Sequence, residues 1–459
     1  MQSYREVEVQ EWTGYHTYLA IFISVTIFFS VFATVFSGLI LNRMAISFGW
    51  DPSTILIIFS IIGIASLFTI IPRYLTDKYG RKPLILIINF VFFAATLGSA
   101  LAPTTLAFVI FQFLAGFFGI DLYSVIISEE VPARHRGKTV GIVAGIGMAA
   151  GLLASYLFIF TGISVDAWRY IYAIVCLIAV ITITMMWFKI KETSRFISCK
   201  VRDLAEELGE CEEDPGVFTR WPIFKIFQKK YLKILALSSM LLFFTEFLFL
   251  TIKRYYVVFL VTERITLGFN EAMIGMWSMF VYIGSIIGYY FAGILADKFG
   301  HKKAIYLSGF IYFIGSLLFL YGGIPSMIFA GLFIINFSYS IYRLVAEIFT
   351  VVFFPTKLRA IGSGWVFVFA AVAGIAGNFL MFFLFGLLGG WVNMFLIVGT
   401  ICLIGLVAVT SFIPETNGRT VEEIFLTEIV GVPESEIMED ELYPMEMETE
   451  LLDEAEIEA

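Results

Sequence analysis

Apolar runs long enough to cross a lipid bilayer recur along this chain of 459 residues. A membrane-spanning helix needs roughly 20 mostly apolar residues. The runs lack strand-like alternation, and backbone in lipid has to satisfy its own hydrogen bonds, so we predict helices and not a barrel. Twelve such helices, numbered in chain order, are predicted at Tyr18–Leu41, Thr54–Pro72, Leu84–Ala102, Leu106–Ser128, Val140–Gly162, Tyr170–Phe188, Ile234–Val261, Ala272–Leu295, Ala304–Tyr321, Ser326–Phe349, Gly362–Leu387 and Val392–Ile413.

The composition indicates that lipid is the solvent of the chain. Hydrophobic residues make up 59% of the sequence and charged residues only 15%, whereas soluble domains carry about 25% charged residues. The predicted helices divide the chain into an N-terminal segment (1–17), a six-helix bundle (18–188), a central loop (189–233), a second six-helix bundle (234–413) and a tail (414–459). We therefore predict an all-α, multi-pass membrane protein.

Lys and Arg are concentrated in the loops that follow even-numbered helices. Short cytoplasmic loops collect these residues, so both termini are predicted to lie on the cytoplasmic side of a cell membrane. Anionic lipid headgroups are the expected neighbours of the basic residues, and no nucleic-acid role follows from them. After helices 2, 4, 8 and 10 these residues are Arg73, Lys78, Arg81, Lys82, Arg134, Arg136, Lys138, Lys298, Lys302, Lys303, Lys357 and Arg359.

The tail after Pro414 is strongly acidic. It holds sixteen acidic residues between Glu415 and Glu458 and one basic residue, Arg419. This composition is typical of a solvated, non-catalytic segment, and a regulatory or partner-binding segment is the alternative. The four Cys form no disulfide framework and the three His are scattered, so no metal or cofactor is predicted.

One short string occurs twice, at Asp77–Lys82 and again at Asp297–Lys302, each time between two apolar runs. A tight turn between two membrane helices needs a Gly, an acidic group at a helix end and basic groups that hold the loop at the headgroups. Both copies supply all three. The repetition predicts that the chain is built from two related halves.

The repeated string resembles the signature of the major facilitator superfamily, roughly Gly-x-x-x-Asp-Arg/Lys-x-Gly-Arg/Lys-Lys, which follows helices 2 and 8. The second copy matches from Gly293 to Lys303, with His301 at a position that is usually basic. The first copy has Arg73 where the signature opens on Gly. Further strings resemble motifs of the branch that carries sugars and other metabolites, at Glu129–Lys138, Lys191–Phe196, Pro355–Gly362 and Pro414–Arg419.

This resemblance implies twelve helices in two pseudo-symmetric six-helix halves that work by alternating access. In the family, cytoplasmic acidic and basic residues pair across loops in the outward-open state and separate when the protein opens inward. Carried over position by position, the resemblance implies a gating role for Asp77, Gly80, Arg81, Glu129, Arg136, Asp297, Gly300, Lys302 and Arg359.

Ionisable side chains within the predicted helices are candidates for binding substrate or protons. Near the bilayer centre such a group costs about 2.5 kcal/mol or more, so it usually faces a cavity or another ionisable group. Glu246, near the middle of helix 7, is predicted to couple transport to protons or contact substrate, or else to pair with a neighbouring helix. Asp121, in a Gly-rich helix 4, resembles an Asp of many metabolite:proton symporters of the family, with a shorter spacing to Glu129.

Arg343 and Glu347 share a face of helix 10, so they either neutralise each other or Arg343 binds an anion when Glu347 is protonated. Lys253 and Arg254 either snorkel to the outer interface or line a cavity. The two Tyr residues that follow them stand where sugar porters line their pocket. The full set of candidates is Asp121, Glu246, Arg343, Glu347, Lys253, Arg254, Tyr255 and Tyr256.

The sequence departs from the sugar porters at two places. The Gln-Gln pair of helix 7 and the Trp of helix 10, which those carriers use to hold a pyranose, are absent from Leu242–Phe247 and from the region of Tyr339 and Tyr342. We therefore predict a secondary active transporter that moves a small metabolite, an organic anion in preference to a sugar, by proton symport. The alternatives are a sugar transporter, a proton-driven exporter and a transporter-like sensor.

Enzyme activity is not predicted. The sequence contains neither a nucleophile–base pair nor the phosphate-binding Gly-x-x-x-x-Gly-Lys-Ser/Thr string of a nucleotide-driven pump. The predicted partners are the bilayer, a small-molecule substrate and protons. A monomer is expected, because each chain contains both halves of the pathway.

Overall fold

A computed structural model describes residues 12–119, 126–127, 130–131, 133–192, 226–352, 354 and 359–413. In these ranges all regular structure is helical; eleven spans are long and apolar enough to cross a membrane, and the shorter apolar helix Thr105–Phe118 occupies the place of a twelfth. The predicted all-α membrane fold is thereby confirmed. With a and b marking two pieces of one span, the helices are α1a Gly14–Leu39, α1b Leu41–Phe48, α2a Pro52–Gly63, α2b Ile70–Tyr79, α3 Arg81–Ala100, α4 Thr105–Phe118, α5 Ala133–Phe158, α6 Ala167–Trp187, α7a Lys229–Leu248, α7b Tyr256–Glu263, α8 Glu271–Phe299, α9 His301–Tyr321, α10 Pro325–Val352, α11 Arg359–Leu388 and α12 Trp391–Phe412.

The same helix pairs recur in the two halves. In the N-terminal half α1a packs on α5, α3 on α4 and α3 on α6; in the C-terminal half α7a packs on α11, α9 on α10 and α9 on α12. Each pair becomes its counterpart when six is added to both helix numbers. The halves meet through α2a with α11 and through α5 with α8, which are again related by six. The packing therefore has the pseudo-symmetry expected of two related halves.

Glycine allows the two halves to approach closely along the contact of α5 with α8. A Cβ added at Gly275 would lie 2.5 Å from Ile159 Cγ1 and 2.8 Å from the carbonyl oxygen of Ser155, and one added at Gly151 would overlap the ring of Tyr282. In lipid the hydrophobic effect does not drive apolar helices together, because lipid tails are as apolar as the side chains. Helices associate through van der Waals packing, which small residues allow by letting the backbones approach closely.

The repeated sequence string adopts the same backbone conformation in both halves. Gly80 separates α2b from α3 with φ 104° and ψ 151°, and Gly300 separates α8 from α9 with φ 89° and ψ 154°. This region of backbone conformation is open almost only to Gly, because a Cβ would collide with the backbone. The shared Gly of the two strings is therefore explained by the turn that it makes.

We call the side formed by the loops after odd-numbered spans the odd-loop face, and the opposite side the even-loop face. On the odd-loop face the two halves are joined: Arg43 of α1b forms an ion pair with Glu271, the first residue of α8, and α1b packs on α7b. On the even-loop face Glu192 caps α3, because its carboxylate oxygens accept from the backbone N–H of Lys82 at 3.2 and 3.3 Å.

Span 7 differs from the sequence prediction of one continuous helix at Ile234–Val261. The α-helix ends at Leu248, a π-helical turn occupies Phe249–Lys253, and α7b begins at Tyr256. The carbonyl oxygen of Leu248 accepts hydrogen bonds from the hydroxyls of Thr251, at 2.7 Å, and of Tyr312 on α9, at 3.1 Å. Side chains that bond into the helical ladder are a known cause of such breaks. This break lies in the middle of the bundle, beside the charged residues described next.

Candidate functional site

Two carboxylates from different helices meet at one guanidinium inside the C-terminal half. Arg343 of α10 forms ion pairs with Glu246 of α7a and with Glu347, one turn along α10; Nε and Nη2 of Arg343 each lie 2.8 Å from Oε1 of Glu347. The three side chains are 15%, 28% and 27% exposed, in the order Arg343, Glu246 and Glu347. We call these residues the triad. With both carboxylates ionised, the triad carries one net negative charge.

The local structure explains why the triad forms. Glu246 lies near the centre of the span Tyr231–Glu263, and Arg343 lies within the span Pro325–Glu347. The i, i+4 spacing places Glu347 beside Arg343, while the packing of α7a on α10 brings Glu246 to the other side of the guanidinium. Protonation of either carboxylate removes the surplus negative charge and leaves Arg343 with one ionised partner, so proton binding changes the electrostatics of the contact between these helices.

Lys253, in the π-helical turn, is directed towards α10. Its ammonium lies 3.9 Å from the ring centre of Tyr339, which packs edge-on against Tyr342 with ring centres 5.2 Å apart. A cation above an aromatic face in a desolvated site gains on the order of 2 kcal/mol. The hydroxyl of Tyr342 is buried and, within the described part of the chain, has no hydrogen-bond partner. This arrangement places Lys253 inside the bundle.

The two Tyr residues that follow face different helices. The hydroxyl of Tyr255 donates to Oδ1 of Asn378 on α11 at 2.6 Å, and the hydroxyl of Tyr256 lies 2.8 Å from Oγ of Ser278 on α8. Both rings are buried. The pair that the sequence placed beside the cargo is thus hydrogen-bonded to the framework of the C-terminal half.

Arg254 faces the other half of the protein. Its guanidinium carbon lies 4.5 Å from the ring centre of Phe59 on α2a, and a Cβ added at Gly38 of α1a would lie 3.8 Å from the carbonyl oxygen of Arg254. Lys253 and Arg254 are thus both directed towards neighbouring helices, Lys253 within its own half and Arg254 in the other half.

Several predicted site residues lie outside the part of the chain that the structure describes. These are Asp121 and Glu129, together with the side chains of Asp77, Arg81, Arg136, Asp297 and Arg359. Of the gating set, Gly80 and Gly300 form the turns described above, and the ammonium of Lys302 lies 3.2 Å from the carbonyl oxygen of Ser411. Within the described ranges no group of three or more His, Cys, Asp or Glu residues is arranged to hold a metal ion.

Sequence reasoning missed the residues that contact Arg254, Tyr255 and Tyr256. Phe59, Ser278 and Asn378 each contact the segment that follows the π-helical turn, but their sequence neighbourhoods are ordinary membrane helices. The polar residue Asn378 inside a predicted helix was the one available signal, because a buried amide in a membrane has to find a hydrogen-bond partner.

The family model described as Major Facilitator Superfamily matches residues 21–255 and 235–431. Among curated proteins, the chain is 25% identical over 382 residues to the glucose transporter GlcP of Staphylococcus epidermidis, covering 76% of this chain and 83% of that protein. It is 26% identical over 330 residues to the sialic acid transporter NanX of Escherichia coli, covering 70% and 76%. These relatives are membrane transporters and not enzymes, as the sequence predicted.

Solved structures share the fold. A crystal structure of a D-xylose-proton symporter is 20% identical, with a TM-score of 0.66, and the match covers 89% of this chain and 100% of that chain. A partially occluded, inward-open structure of the xylose transporter XylE from E. coli gives a TM-score of 0.67 at 17% identity over the same shares. The predicted fold of two six-helix halves is confirmed.

Proposed function

This chain belongs to the major facilitator superfamily and is a membrane transporter of its sugar and metabolite type, and we propose that it carries a small organic anion together with a proton by alternating access of its two halves. The triad is the observation that supports this proposal. Carboxylates in the middle of a membrane are costly unless paired, and they are the usual groups through which transporters bind and release protons.

The triad has a geometry suited to proton coupling. Glu347 lies four residues further along α10 than Arg343, which is about 6 Å nearer the even-loop face. A proton that arrives from either face neutralises one carboxylate and weakens one of the two ion pairs of Arg343. Glu246 belongs to α7a, so loss of its ion pair loosens the contact between spans 7 and 10. Protonation thus biases the conformational equilibrium in the way that coupled transport requires.

Charge balance favours an anion as the cargo. Spans 7 and 10, at Tyr231–Glu263 and Pro325–Glu347, hold three carboxylates and four cations, which are Glu246, Glu263, Glu347, Lys233, Lys253, Arg254 and Arg343. One bound proton raises their net charge from one to two, and a bound monoanion lowers it back to one. The empty and the fully loaded forms then carry the same charge, so both cross between the two open states with the same electrostatic cost.

The distribution of Lys and Arg supports an orientation with the even-loop face and both termini on the cytoplasmic side. In this orientation the ion pair of Arg43 with Glu271 joins the two halves at their outer ends, and the contact of Arg254 with Phe59 joins them further inside the membrane. The conformation is then one that is closed to the outside.

Uptake into proteoliposomes tests the proposal. Labelled carboxylates, sugars and amino acids are offered with and without an inward proton gradient, to the intact protein, Glu246→Gln and Asp121→Asn. We expect gradient-driven accumulation of a carboxylate, lost in Glu246→Gln or in Asp121→Asn while downhill exchange survives. Glu263→Gln, at the end of the same span, is the matched control, because the Gln oxygen can still accept from the backbone N–H of Trp391.

A neutral sugar is the second candidate cargo, since GlcP is named a glucose transporter and the symporter with the same fold is named for xylose. Accumulation of a sugar with no accumulation of any carboxylate would replace the anion in this proposal. Accumulation that is the same with and without the gradient, and the same in Glu246→Gln as in the intact protein, would show that the triad is structural.

A further inference from the structure

Arg254 is the interior cation for which the protein supplies no counterion among the described residues. Among the side chains that the structure describes, no ion pair reaches Arg254. Nε of Arg254 is buried and has no hydrogen-bond partner in the same part of the chain. Arg343, by contrast, has two carboxylates. A guanidinium inside a membrane protein without a carboxylate partner is costly, and such groups mark binding sites.

The position of Arg254 is the contact between the two halves. The residues that its side chain contacts are buried, with Phe59 at 5% exposure and Tyr255 at 0%, whereas Arg254 is partly exposed. Since the ring of Phe59 that it contacts is almost fully buried, the exposed part of Arg254 faces the space between the halves. A charged group at this place would contact a substrate that is bound between the halves.

The stacking on Phe59 uses none of the N–H donors of Arg254, which donates one hydrogen bond to the hydroxyl of Tyr255 and keeps its other donors. A cation–π contact uses the flat face of the guanidinium, while its N–H groups point outward in the plane of the group. Carboxylates accept two parallel hydrogen bonds from this planar fork, which makes Arg the preferred side chain for binding them. Phe59 therefore orients Arg254 and does not satisfy it.

We propose that Arg254 binds the carboxylate of the transported anion, at the contact between the halves, and so selects acidic over neutral cargo; this inference rests on the proposed anion transport. The triad and Arg254 then have separate roles. The triad binds the proton, and Arg254 binds the negative charge of the cargo. Because Arg254 belongs to span 7 and Phe59 to the N-terminal half, the bound carboxylate lies where the halves separate during transport.

Transport kinetics with matched acid and neutral probes test this assignment. Labelled lactate, D-gluconate, D-glucuronate and sialic acid are compared with D-glucose as the neutral counterpart, in the intact protein, Arg254→Gln and Arg254→Lys. For a carboxylate that the intact protein takes up, we expect Arg254→Gln to raise KM by about 30-fold or more. Arg254→Lys keeps the positive charge but loses the planar pair of N–H donors, so its KM is expected to lie between those of the intact protein and Arg254→Gln.

Two further readouts separate this role from a structural one. In Arg254→Gln the ratio of acid to neutral uptake falls, whereas a general structural defect lowers both equally. Arg264→Gln is the matched control, because Arg264 lies at the end of the same span and donates to the carbonyl oxygen of Leu320; it leaves the ratio unchanged.

The outcomes distinguish this inference from the proposed function. If the intact protein accumulates no carboxylate, both are overturned. If it accumulates one and the KM for that carboxylate is unchanged in Arg254→Gln, the assignment of Arg254 alone is overturned. Should Arg254→Gln fail to fold, the KM of Arg254→Lys decides, since an unchanged value for the same carboxylate overturns the assignment equally.

Discussion

The ion pair of Arg43 with Glu271 offers a direct test of how the halves are held together. It joins α1b to α8 on the odd-loop face, with the two side chains 14% and 25% exposed. Nε of Arg43 is buried without a hydrogen-bond partner in the described ranges. Exposed pairs contribute up to about 1 kcal/mol, and removing one partner of a buried pair costs about 3–5 kcal/mol. A partly buried pair between these limits is worth about 2 kcal/mol.

This energy acts on the conformational equilibrium. About 2 kcal/mol is a factor of about 30, so Arg43→Gln and Glu271→Gln are each expected to raise the population separated at this face by about 30-fold relative to the closed form. The charge-swapped double variant, Arg43→Glu with Glu271→Arg, restores most of the closed population. The single variants shift the equilibrium and the double variant restores it because the ion pair is present in the closed form only.

Pulsed electron-spin spectroscopy measures these populations. Spin labels at Ile46→Cys, in α1b, and Ile324→Cys, after α9, report the separation of the halves; both sites are exposed, at 54% and 59%. Cys199 and Cys211 are first replaced by Ser. Arg169→Gln, whose pair with Asp166 lies within the N-terminal half, is the control and leaves the distance distribution unchanged. Identical distributions in the intact protein and both single variants would refute the reasoning.

Three further predictions concern stability and energetics. Asp51 caps α2a, because its carboxylate accepts from the backbone N–H of Thr54 at 2.9 Å. Hydrogen bonds from the Thr54 hydroxyl and backbone lower the pKa of Asp51. The stabilisation by this cap is therefore present above the unfolded pKa and is lost as pH falls through the lower folded pKa. Asp51→Ala is therefore expected to cost about 1 kcal/mol at neutral pH, measured by thermal unfolding in detergent, and Asp51→Asn to keep the cap without its pH dependence. Gly331→Ala, whose Cβ would lie 2.5 Å from the backbone nitrogen of Phe319, is expected to cost about 1–3 kcal/mol in the same measurement, and Gly323→Ala, with open space around it, less than about 0.5 kcal/mol. If one proton accompanies one monoanion, the initial uptake rate is unchanged when a potassium diffusion potential of either sign is imposed on the proteoliposomes.

The helices could be predicted from hydropathy because length and apolarity determine whether a segment spans a bilayer. Their ends could not, since hydropathy ignores local capping. The second span was predicted from Thr54, but α2a begins at Pro52, where Asp51 accepts the capping hydrogen bond and Pro occupies the first turn. The short helix α1b was missed altogether, because Asn42 and Arg43 interrupt its apolar run.

The charged residues of the site were found one at a time, as exceptions within apolar helices. The ion pair of Glu246 with Arg343 could not be predicted from the sequence, because these residues lie far apart in the chain and meet only when α7a packs on α10. The spacing of Arg343 and Glu347 did give half of the triad, since i, i+4 neighbours share a face in any helix. The π-helical turn was not predictable either, because it depends on a hydrogen bond from Tyr312 of another helix.

That turn explains how one segment serves both halves. In a helix, successive side chains point about 100° apart, so four consecutive residues point in all directions around the axis. All four contact neighbouring helices only if the span is surrounded by other helices. Lys253 contacts α10, Tyr255 contacts α11 and Tyr256 contacts α8, all within the C-terminal half. Arg254 reaches Phe59 of α2a, in the other half. When the halves separate at the odd-loop face, the contact of Arg254 with Phe59 therefore has to break together with the ion pair of Arg43 and Glu271, and a carboxylate held by Arg254 compensates its charge at that step.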